Sequence, residues 1–268
     1  MHKLRQRYRY SIILLKQLVK TDFKLRYQGS VLGYAWSLLR PLFLFAILYL
    51  VFAKFLKFGG TIPHYPVYLL LGIVLWNYFA EVTSGSVGAI VGRDDLLRKI
   101  NFPKYVIILS GSFSAFINLL INFVVIGLFM AITDVHLTWR ALILIPLVAE
   151  LFVFSIALAF FLSALYVKFR DVSYIWEVIM QAAFYATPIL YPLSLIPHRA
   201  AKLLILSPMA QIIQDARHAL VTPASDTIYQ LYGHDKWIWA IPLGLTLVIV
   251  ILATSYFRSR SKYFAEDI

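Results

Sequence analysis

Long runs of apolar residues alternate along the chain with shorter segments that hold most of the charged residues. Six of these runs are long enough for membrane spans, at about 37–56, 66–91, 105–132, 140–167, 172–190 and 237–257. A helix rises about 1.5 Å per residue, so roughly 20 apolar residues cross a hydrocarbon core about 30 Å thick. The pattern predicts an all-α polytopic membrane protein with six transmembrane helices.

The composition also indicates a lipid environment. Hydrophobic residues make up 61% of the 268 positions and charged residues 14%, whereas soluble domains have roughly 45–50% and about 25%. A soluble core of this size could not bury so much apolar surface. We therefore count the chain in membrane spans rather than in soluble domains, and treat residues 1–268 as one transmembrane domain.

The basic residues predict the orientation of the spans. The chain has 25 Lys and Arg against 13 Asp and Glu, and the cations lie beside the apolar runs, which favours contact with membrane lipids over nucleic acid. With both termini cytoplasmic, 18 of the 25 cations lie inside and 7 outside. The inside segments are 1–40, 92–104, 168–171 and 258–268, and the outside loops are 54–65, 133–140 and 191–236.

Residues 1–36 are too polar for a span. Apolar residues recur at helical spacing between basic ones, which predicts an amphipathic helix in the cytoplasmic interface; a basic flank that only fixes topology is the alternative. The first apolar stretch is broken by Lys16 and no small-residue cleavage site follows, so we predict no cleavable signal peptide. The stripe consists of Ile12, Leu15, Val19 and Phe23.

Segment 92–104 is short, mixed in charge and closed by Pro103. Leu96, Leu97 and Ile100 are spaced to form one face of a short cytoplasmic helix, which could protrude into a soluble motor. A solvated turn explains the same spacing equally well. The adjacent Asp94 and Asp95 are flanked by cations, so we interpret them as part of a charge-balanced surface rather than a metal site.

Segment 191–236 is too apolar for a free loop. Residues 203–213 are mostly apolar, yet Pro208 interrupts them and further prolines punctuate the rest. Short apolar helices with breaks are tolerated at membrane depth where protein or water supplies hydrogen bonds. We predict re-entrant extracellular helices between spans five and six, with a folded extracellular cap as the alternative.

The sequence lacks the common motifs of ATP hydrolysis, zinc proteolysis and serine hydrolysis. No glycine precedes Lys-Ser or Lys-Thr, so the chain has no phosphate-binding loop and is not expected to hydrolyse ATP alone. Motifs of zinc proteases and serine hydrolases are absent, the six histidines are scattered, and cysteine does not occur. We expect no catalytic residue, no metal site and no cofactor in this chain.

Polar and aromatic residues inside the apolar runs are the remaining candidates for a functional site. Glu81, Glu150 and Glu177 should face protein or water, and Arg40 is a candidate partner for Glu177 or Glu81. These carboxylates could serve a proton relay, contact a substrate or form a structural network. Aromatic faces pack against the C–H faces of sugars, although packing or lipid contact is at least as probable for any single ring. The candidates are Trp76, Tyr78, Phe79, Trp176, Phe184 and Tyr185.

Five segments resemble signatures of ABC-2 polysaccharide-export permeases, the membrane subunits of O-antigen, capsule and teichoic-acid exporters. They occur in the same order along nearly the whole chain. The segments are LRYQGSVLGYAWSLLRPL (25–42), RKINFPKYVIILS (98–110), FRDVSYIWEV (169–178), FYATPILYPLSLIP (184–197) and LSPMAQIIQDAR (206–217).

This resemblance implies a homodimer in a bacterial cytoplasmic membrane, paired with two copies of a nucleotide-binding ATPase subunit that binds ATP and Mg. Residues 1–36 would be an interface helix and 191–236 an extracellular gate. Segment 92–104 would be a coupling helix seated in the ATPase. Its contact residues would be Asp94, Asp95, Leu97, Arg98 and Lys99.

The substrate implied by the resemblance is a polysaccharide linked to a polyprenyl diphosphate lipid. Its pyrophosphate would bind cations at the cytoplasmic side, namely Lys24, Arg26 and Arg40. The family often has Asn before Pro41, where this chain has Arg40. Two alternatives remain: an ABC-2 permease for a small lipid or drug, and a polytopic glycosyltransferase acting on polyprenyl phosphates.

Overall fold

The computed structural model describes residues 2–26, 30–60, 62–93, 103–233 and 235–264. Within these ranges the regular structure is helical and contains no strand. The helices are α1 (His2–Arg26), α2 (Trp36–Tyr49), α3 (Tyr65–Val87), α4 (Tyr105–Ile132), α5 (Leu144–Lys168), α6 (Val172–Ala186), α7 (His198–Ile205), α8 (Pro208–Leu220), α9 (Ile228–Leu231) and α10 (Ala240–Arg260).

Among the described residues, five helices are long and apolar enough to cross a membrane. They correspond to five of the six predicted spans. α2 continues as one turn of π-helix, Leu50–Phe55, and 3₁₀ turns extend α5 and α10 at their N-termini. The five are Trp36–Phe55, Tyr65–Val87, Tyr105–Ile132, Trp139–Lys168 and Trp237–Arg260.

The predicted span 172–190 is not confirmed. Its helix, α6, has 15 residues and ends at Ala186, so it is about 22 Å long and shorter than a hydrocarbon core of about 30 Å. Thr187 is extended, with ψ 134°, because the ring of the following Pro188 excludes helical backbone before it. The apolar pattern runs through this break, which is why the sequence predicted one continuous helix.

α3 is the central helix. In its most apolar stretch 78% of the residues are buried inside the protein, against 17–33% in the other four long helices, so the other four present more of their surface to lipid. α3 packs against α2, α4, α5, α6 and α8, while α10 lies along α5. Side chains on α3 therefore line the spaces between α3 and these neighbouring helices.

The helix bundle has two ends. We call the end that holds α1 and the start of α4 the terminal end, and the opposite end, which holds α7, α8 and α9, the far end. At the terminal end α1 lies against the start of α4, where Leu14, Leu15 and Leu18 pack on Val106 and Ile107. Part of the predicted apolar stripe thus contacts protein. The helix ends at Arg26, so the predicted extent of 1–36 is too long: a bend and a short 3₁₀ turn occupy residues 31–35.

The far end is formed by α7, α8 and α9. Segment 191–236 is therefore largely helical, with breaks at Pro197 and Pro208, each of which stands at the N-terminus of a helix. α8 is buried along nearly its whole length and packs against α3, α5 and α10. In segment 92–104, Val91–Arg93 form a 3₁₀ turn, and residues 94–102 lie outside the described part of the chain.

Candidate functional site

A polar cavity of about 750 Å³ lies between α2, α3 and α4, and its lining includes residues from all three helices. Polar side chains at this depth are unusual because hydrocarbon offers them no hydrogen bonds. Asn77 and Glu81 are spaced by four residues on α3, and Asn118 and Asn122 by four on α4, so each pair shares one helix face. The polar lining comprises Arg40, Asn77, Tyr78, Glu81, Asn118 and Asn122.

Hydrogen bonds between the helices fix the cavity wall. Asn118 Nδ2 donates to Glu81 Oε1 at 3.1 Å. Asn122 Nδ2 donates to the carbonyl oxygens of Asn118 at 2.8 Å and Ser37 at 3.4 Å. In a regular helix the N–H of residue 41 would donate to Ser37 O, but Pro41 has no N–H. Pro41 therefore allows Asn122 of α4 to bind the backbone of α2.

Two polar atoms on the cavity wall have no hydrogen-bond partner among the described residues: Tyr78 OH and Asn118 Oδ1. Tyr78 is 3% and Asn118 5% exposed. Leaving such a buried group unpaired costs about 1–3 kcal/mol. Both residues line the cavity, although these two atoms are themselves covered by neighbouring atoms.

Arg40 and Trp36 extend the cavity to its exposed rim. Arg40 is exposed, and no described residue forms a hydrogen bond or ion pair with it. Arg40 and Glu81 line the same cavity whereas Glu177 lies elsewhere, and the pairing of Arg40 with Glu81 stays a prediction. Lys24 is exposed on α1, and Arg26 is the last residue of that helix. Among the predicted headgroup cations, Arg40 lines the cavity.

A second groove, of about 470 Å³, lies between α3 and α6. Four of the six predicted aromatic residues line it: Trp76, Trp176, Phe184 and Tyr185. The Trp76 and Phe184 rings meet edge to face at 5.7 Å between centroids. Glu177 and Gln181 add polar groups to the same lining.

The other two predicted aromatic residues do not line this groove. Tyr78 faces the polar cavity, and Phe79 is buried, stacked on Phe154 with 5.5 Å between ring centroids. Residues 76, 78 and 79 cannot all share one face of a helix, because each residue advances the direction by about 100°. Grouping them by sequence proximity was therefore wrong.

α3 separates the two spaces with small side chains. Ala80 and Ser84 line both the polar cavity and the aromatic groove. They are spaced by four residues, so they lie one turn apart along the same face. The two spaces are thus neighbours across a thin wall.

A charged cluster at the terminal end joins α1 to the root of segment 94–102. Arg93 Nη2 lies 2.6 Å from Asp22 Oδ1, and Ser110 Oγ donates to Asp22 Oδ2 at 3.1 Å. Close by, Lys104 Nζ donates to the carbonyl oxygen of Ser261, and burial lowers the pKa of Lys104. The predicted coupling residues Asp94, Asp95, Leu97, Arg98 and Lys99 lie outside the described residues.

At the far end, Arg217 of α8 is fully buried, with 0% exposure. Its Nε donates to Tyr68 O at 3.0 Å, its Nη1 to Pro188 O at 2.6 Å, and its Nη2 to Ile189 O. The guanidinium also lies 3.6 Å from the centre of the Tyr68 ring. One side chain thus ties α8, α3 and the turn after α6 together.

Two buried acidic residues, Glu150 of α5 and Asp215 of α8, also lie near each other at the far end. Glu150 is buried and interacts electrostatically with Asp215, to which Gln211 Nε2 donates at 2.6 Å. Burial raises the pKa of Asp215 to about 7, and the bond from Gln211 opposes this rise. The expectation that Glu150 faces protein is confirmed.

Sequence reasoning missed Asp22, Asn118, Asn122 and Arg217. A signal was available for the asparagines, because two amides four residues apart within the predicted span 105–132 must share one face. Arg217 had been counted as a cation of an extracellular loop, and no local pattern distinguished it from Arg199.

Residues 13–221 match the family model described as ABC-2 type transporter. The chain belongs to the ABC-2 type transporter family. The matched region begins in α1 and ends just after α8, so it contains the polar cavity, the aromatic groove and Arg217.

This ABC-2 transporter chain is similar over most of its length to several named transport proteins. It is 31% identical over 271 residues to the O-antigen export system permease protein RfbA of Myxococcus xanthus, covering 99% of this chain and 98% of the relative. A protein of the same name from Klebsiella pneumoniae is 30% identical over 267 residues, with 98% of each covered. The polysialic acid transport protein KpsM of Escherichia coli is 21% identical over 221 residues, covering 78% and 81%.

Proposed function

We propose that this chain is the membrane permease subunit of an ATP-driven exporter that moves a polysaccharide linked to a polyprenyl diphosphate out of the cytoplasm. The observation that carries the proposal is the polar cavity between three apolar helices, with the Arg40 guanidinium at its rim. A guanidinium binds phosphate oxygens in a two-pronged geometry. The names of the relatives, O-antigen export permease above all, support a polysaccharide as cargo.

The aromatic groove suits the remainder of such a substrate. Trp76, Trp176, Phe184 and Tyr185 offer ring faces and edges with few charged groups. Sugar rings can slide along such a surface because stacking is not directional in the way that hydrogen bonds are. The groove would carry the polymer while the cavity holds its lipid headgroup.

The proposed assembly is a homodimer of permeases with two ATPase subunits, in which the ATPase subunits bind ATP and Mg. α6 supports the dimer, because Tyr174, Ile175, Val178 and Ile179 expose an apolar face beside the groove. The chain lacks a phosphate-binding loop, so hydrolysis falls to the second subunit. Residues 94–99 would contact it, and the Asp22–Arg93 ion pair would pass their movement to α1.

The proposed orientation places both termini and the terminal end in the cytoplasm, with segment 172–190, of which α6 is the helical part, completing a sixth crossing. The far end would then be extracytoplasmic, and α7 and α8 would form the re-entrant gate. This orientation follows from the excess of Lys and Arg in segments 1–40, 92–104, 168–171 and 258–268. The membrane would be a bacterial cytoplasmic membrane.

The function can be tested by measuring polysaccharide export in cells that lack this chain and produce a variant of it instead. We expect Arg40→Ala to lower the amount of surface polysaccharide about tenfold and to leave ATP hydrolysis by the purified complex within about twofold, since a lost charged contact costs about 1.5–3 kcal/mol. Arg199→Ala, at the exposed far end, is the matched control. Unchanged surface polysaccharide in cells without the chain would refute the proposal.

Topology and coupling are tested on the same complex. The chain has no cysteine, so single cysteines can be labelled, and we expect reactivity from outside at residues 60–64 and from inside at 94–99. Replacing Asp94, Asp95 and Arg98 with Ala should lower export while membrane insertion stays normal. The opposite labelling pattern would reverse the topology, and normal export by the triple variant would remove the coupling role.

A further inference from the structure

Two carboxyl groups lie near each other inside the far end, away from the polar cavity and the aromatic groove. Glu150 of α5 is 9% exposed and Asp215 of α8 is 3% exposed, and the two interact electrostatically. Among the described residues neither of them forms an ion pair. Burial removes the hydration of a carboxylate, and two carboxylates at one site also repel each other. Their combined charge therefore needs to be relieved.

The charged side chains around this pair do not relieve it. Arg217 lies two positions beyond Asp215, about 200° around α8, and its N–H groups donate to backbone carbonyl oxygens. The ring of His218 is bonded to the carbonyl oxygen of Ser225. In its first half α5 has no ionisable residue besides Glu150, and α10 has none. On the elements packed against α8 at this end, the titratable side chains that are not exposed are Tyr65 and Tyr68 of α3, Lys202 of α7, and Asp226 and Tyr229 at the start of α9, while Arg140 before α5 is exposed.

Hydrogen-bond acceptors outnumber donors around the two carboxyls. Gln211 Nε2 donates to Asp215 Oδ2 at 2.6 Å, the backbone N–H of Ile228 also acts on Asp215, and Thr246 of α10 interacts with Glu150. Three further buried oxygens have no partner among the described residues: Glu150 Oε1, Asp215 Oδ1 and Gln211 Oε1. The Gln211 amide cannot be reversed, because its oxygen would then face a carboxylate oxygen. The cluster thus lacks a donor.

One proton supplies this donor and needs no cavity. A protonated carboxyl group donates a hydrogen bond as well as accepting one, so the same proton also removes one negative charge. The unpaired oxygens are enclosed by neighbouring atoms; a proton carried on a carboxyl oxygen takes almost no space, whereas a water molecule or a metal ion would need room between them. Burial acts in the same direction, since it raises the pKa of Asp215 to about 7.

We propose that Glu150 and Asp215 form a proton-binding site whose proton keeps α8 packed against α5. The pair takes one proton from water, holds it on either carboxyl group and carries one negative charge instead of two. When the proton leaves, two like charges face each other in a buried place, and α8 loosens from α5. Proton binding goes beyond the proposed function and does not depend on the cargo; only the side of the membrane whose pH is sensed rests on the proposed orientation.

Infrared spectroscopy tests proton binding, because a carboxylic acid and a carboxylate absorb at different frequencies. The sample is the full chain with its ATPase in lipid nanodiscs. We expect wild type to show a carboxylic-acid band at about pH 6 that is lost with a midpoint near 7, and Glu150→Gln combined with Asp215→Asn to abolish it. Asp134→Asn, in the exposed turn after α4, is the matched control and should keep the band. Equal acid bands in wild type and the double variant would overturn the proposal.

Single variants test whether the two carboxyl groups form one site. Glu150→Gln or Asp215→Asn removes the repulsion on the carboxyl group that remains, so its acid band should be lost at a pH lower by about one unit or more. Both replacements are close in shape to the group they replace, which guards against misfolding. A remaining band with the wild-type midpoint would show two independent groups and refute the shared site.

Hydrogen exchange of the α8 backbone tests the effect on packing. After correction for the intrinsic exchange rate, protection of Pro208–Leu220 in wild type should fall about tenfold between pH 5.5 and 8.5, because the packed state holds the proton more tightly than the loosened state. Asp215→Asn resembles the protonated group and should keep its protection, and peptides from α4 should stay within about twofold in both proteins. The same fall in wild type and Asp215→Asn would refute the packing role, and export of a polysaccharide would stand.

Discussion

The guanidinium of Arg217 lies directly against Gly72, so that any side chain at position 72 would overlap it. A Cβ atom built on Gly72 would collide with Nη2 and lie 3.2 Å from Cζ. The cation cannot withdraw, because its donors are held by the carbonyl oxygens of Tyr68, Pro188 and Ile189. Gly72 and Arg217 together set the distance between α3 and α8.

Adding one methyl group at Gly72 should loosen this contact. We expect Gly72→Ala to destabilise the protein by about 1–3 kcal/mol, the usual range for overpacking a core, and to lower the temperature of thermal unfolding in detergent. Gly127→Ala is the matched control, because no atom lies within 4 Å of a Cβ there. A Gly72→Ala protein as stable as this control would contradict the tight contact.

The Asp22–Arg93 ion pair should matter for coupling more than for stability. The two side chains are 20% and 28% exposed, and such pairs contribute about 0–1 kcal/mol. We expect Asp22→Ala to lower export several-fold at an almost unchanged unfolding temperature. The exchanged pair Asp22→Arg with Arg93→Asp should restore part of the export; no rescue by the exchange would argue against a direct link.

The aromatic groove should affect movement of polymer and not hydrolysis. Trp176→Ala removes a ring from the groove lining, and we expect export of long polymer to fall about tenfold while binding of the lipid-linked precursor to the complex stays within about twofold. Phe161→Ala on α5, which packs against Tyr256 away from the groove, is the control. Equal export by Trp176→Ala and wild type would exclude the groove as the path.

Asp215 should make stability depend on pH. Its pKa is raised from an ordinary 3.8 to about 7 in the folded protein, chiefly by burial. The folded state therefore holds the proton more tightly than the unfolded state, so this group's stabilisation is complete below about pH 4 and is lost as the pH rises towards 7. Asp215→Asn should flatten the decline of unfolding temperature between pH 5 and 8.

Asp134→Asn serves as the control for this pH dependence. Asp134 is exposed in the turn after α4 with φ +53°, a left-handed conformation that Asn also tolerates. Its replacement should leave the decline of unfolding temperature unchanged. An Asp215→Asn protein with the wild-type pH profile would show that Asp215 stays charged when buried.

Apolar length and spacing carried the sequence prediction as far as single helices. Five long helices were predicted because each needs only its own residues to be recognised as a span. The end of α6 was missed because Pro188 outweighs the apolar residues on both sides of it. Helix breaks within hydrophobic runs are set by backbone sterics, which a hydropathy pattern does not report.

The sites depend on contacts between residues of different helices, and residue spacing along one helix does not predict these contacts. The sequence left Glu81 and Glu177 open as neighbours of Arg40, and only the packing of α2 on α3 places Arg40 and Glu81 in one cavity lining. The Asn118–Glu81 bond and the Arg217–Tyr68 bond join residues 37 and 149 positions apart, respectively. Only packing decides which faces of α3, α4 and α8 meet.

The carbonyl oxygen of Tyr68 accepts a hydrogen bond from Arg217, and Glu81 lines the polar cavity. Both residues belong to the same unbroken helix, α3. Thirteen residues of α-helix separate them by about 20 Å, and a helix hardly shortens under load. A displacement of α8 that keeps its hold on Tyr68 must consequently shift one wall of the cavity as well. In the proposed function, opening at one face of the membrane and release of a headgroup near the other would thereby be parts of a single rigid movement.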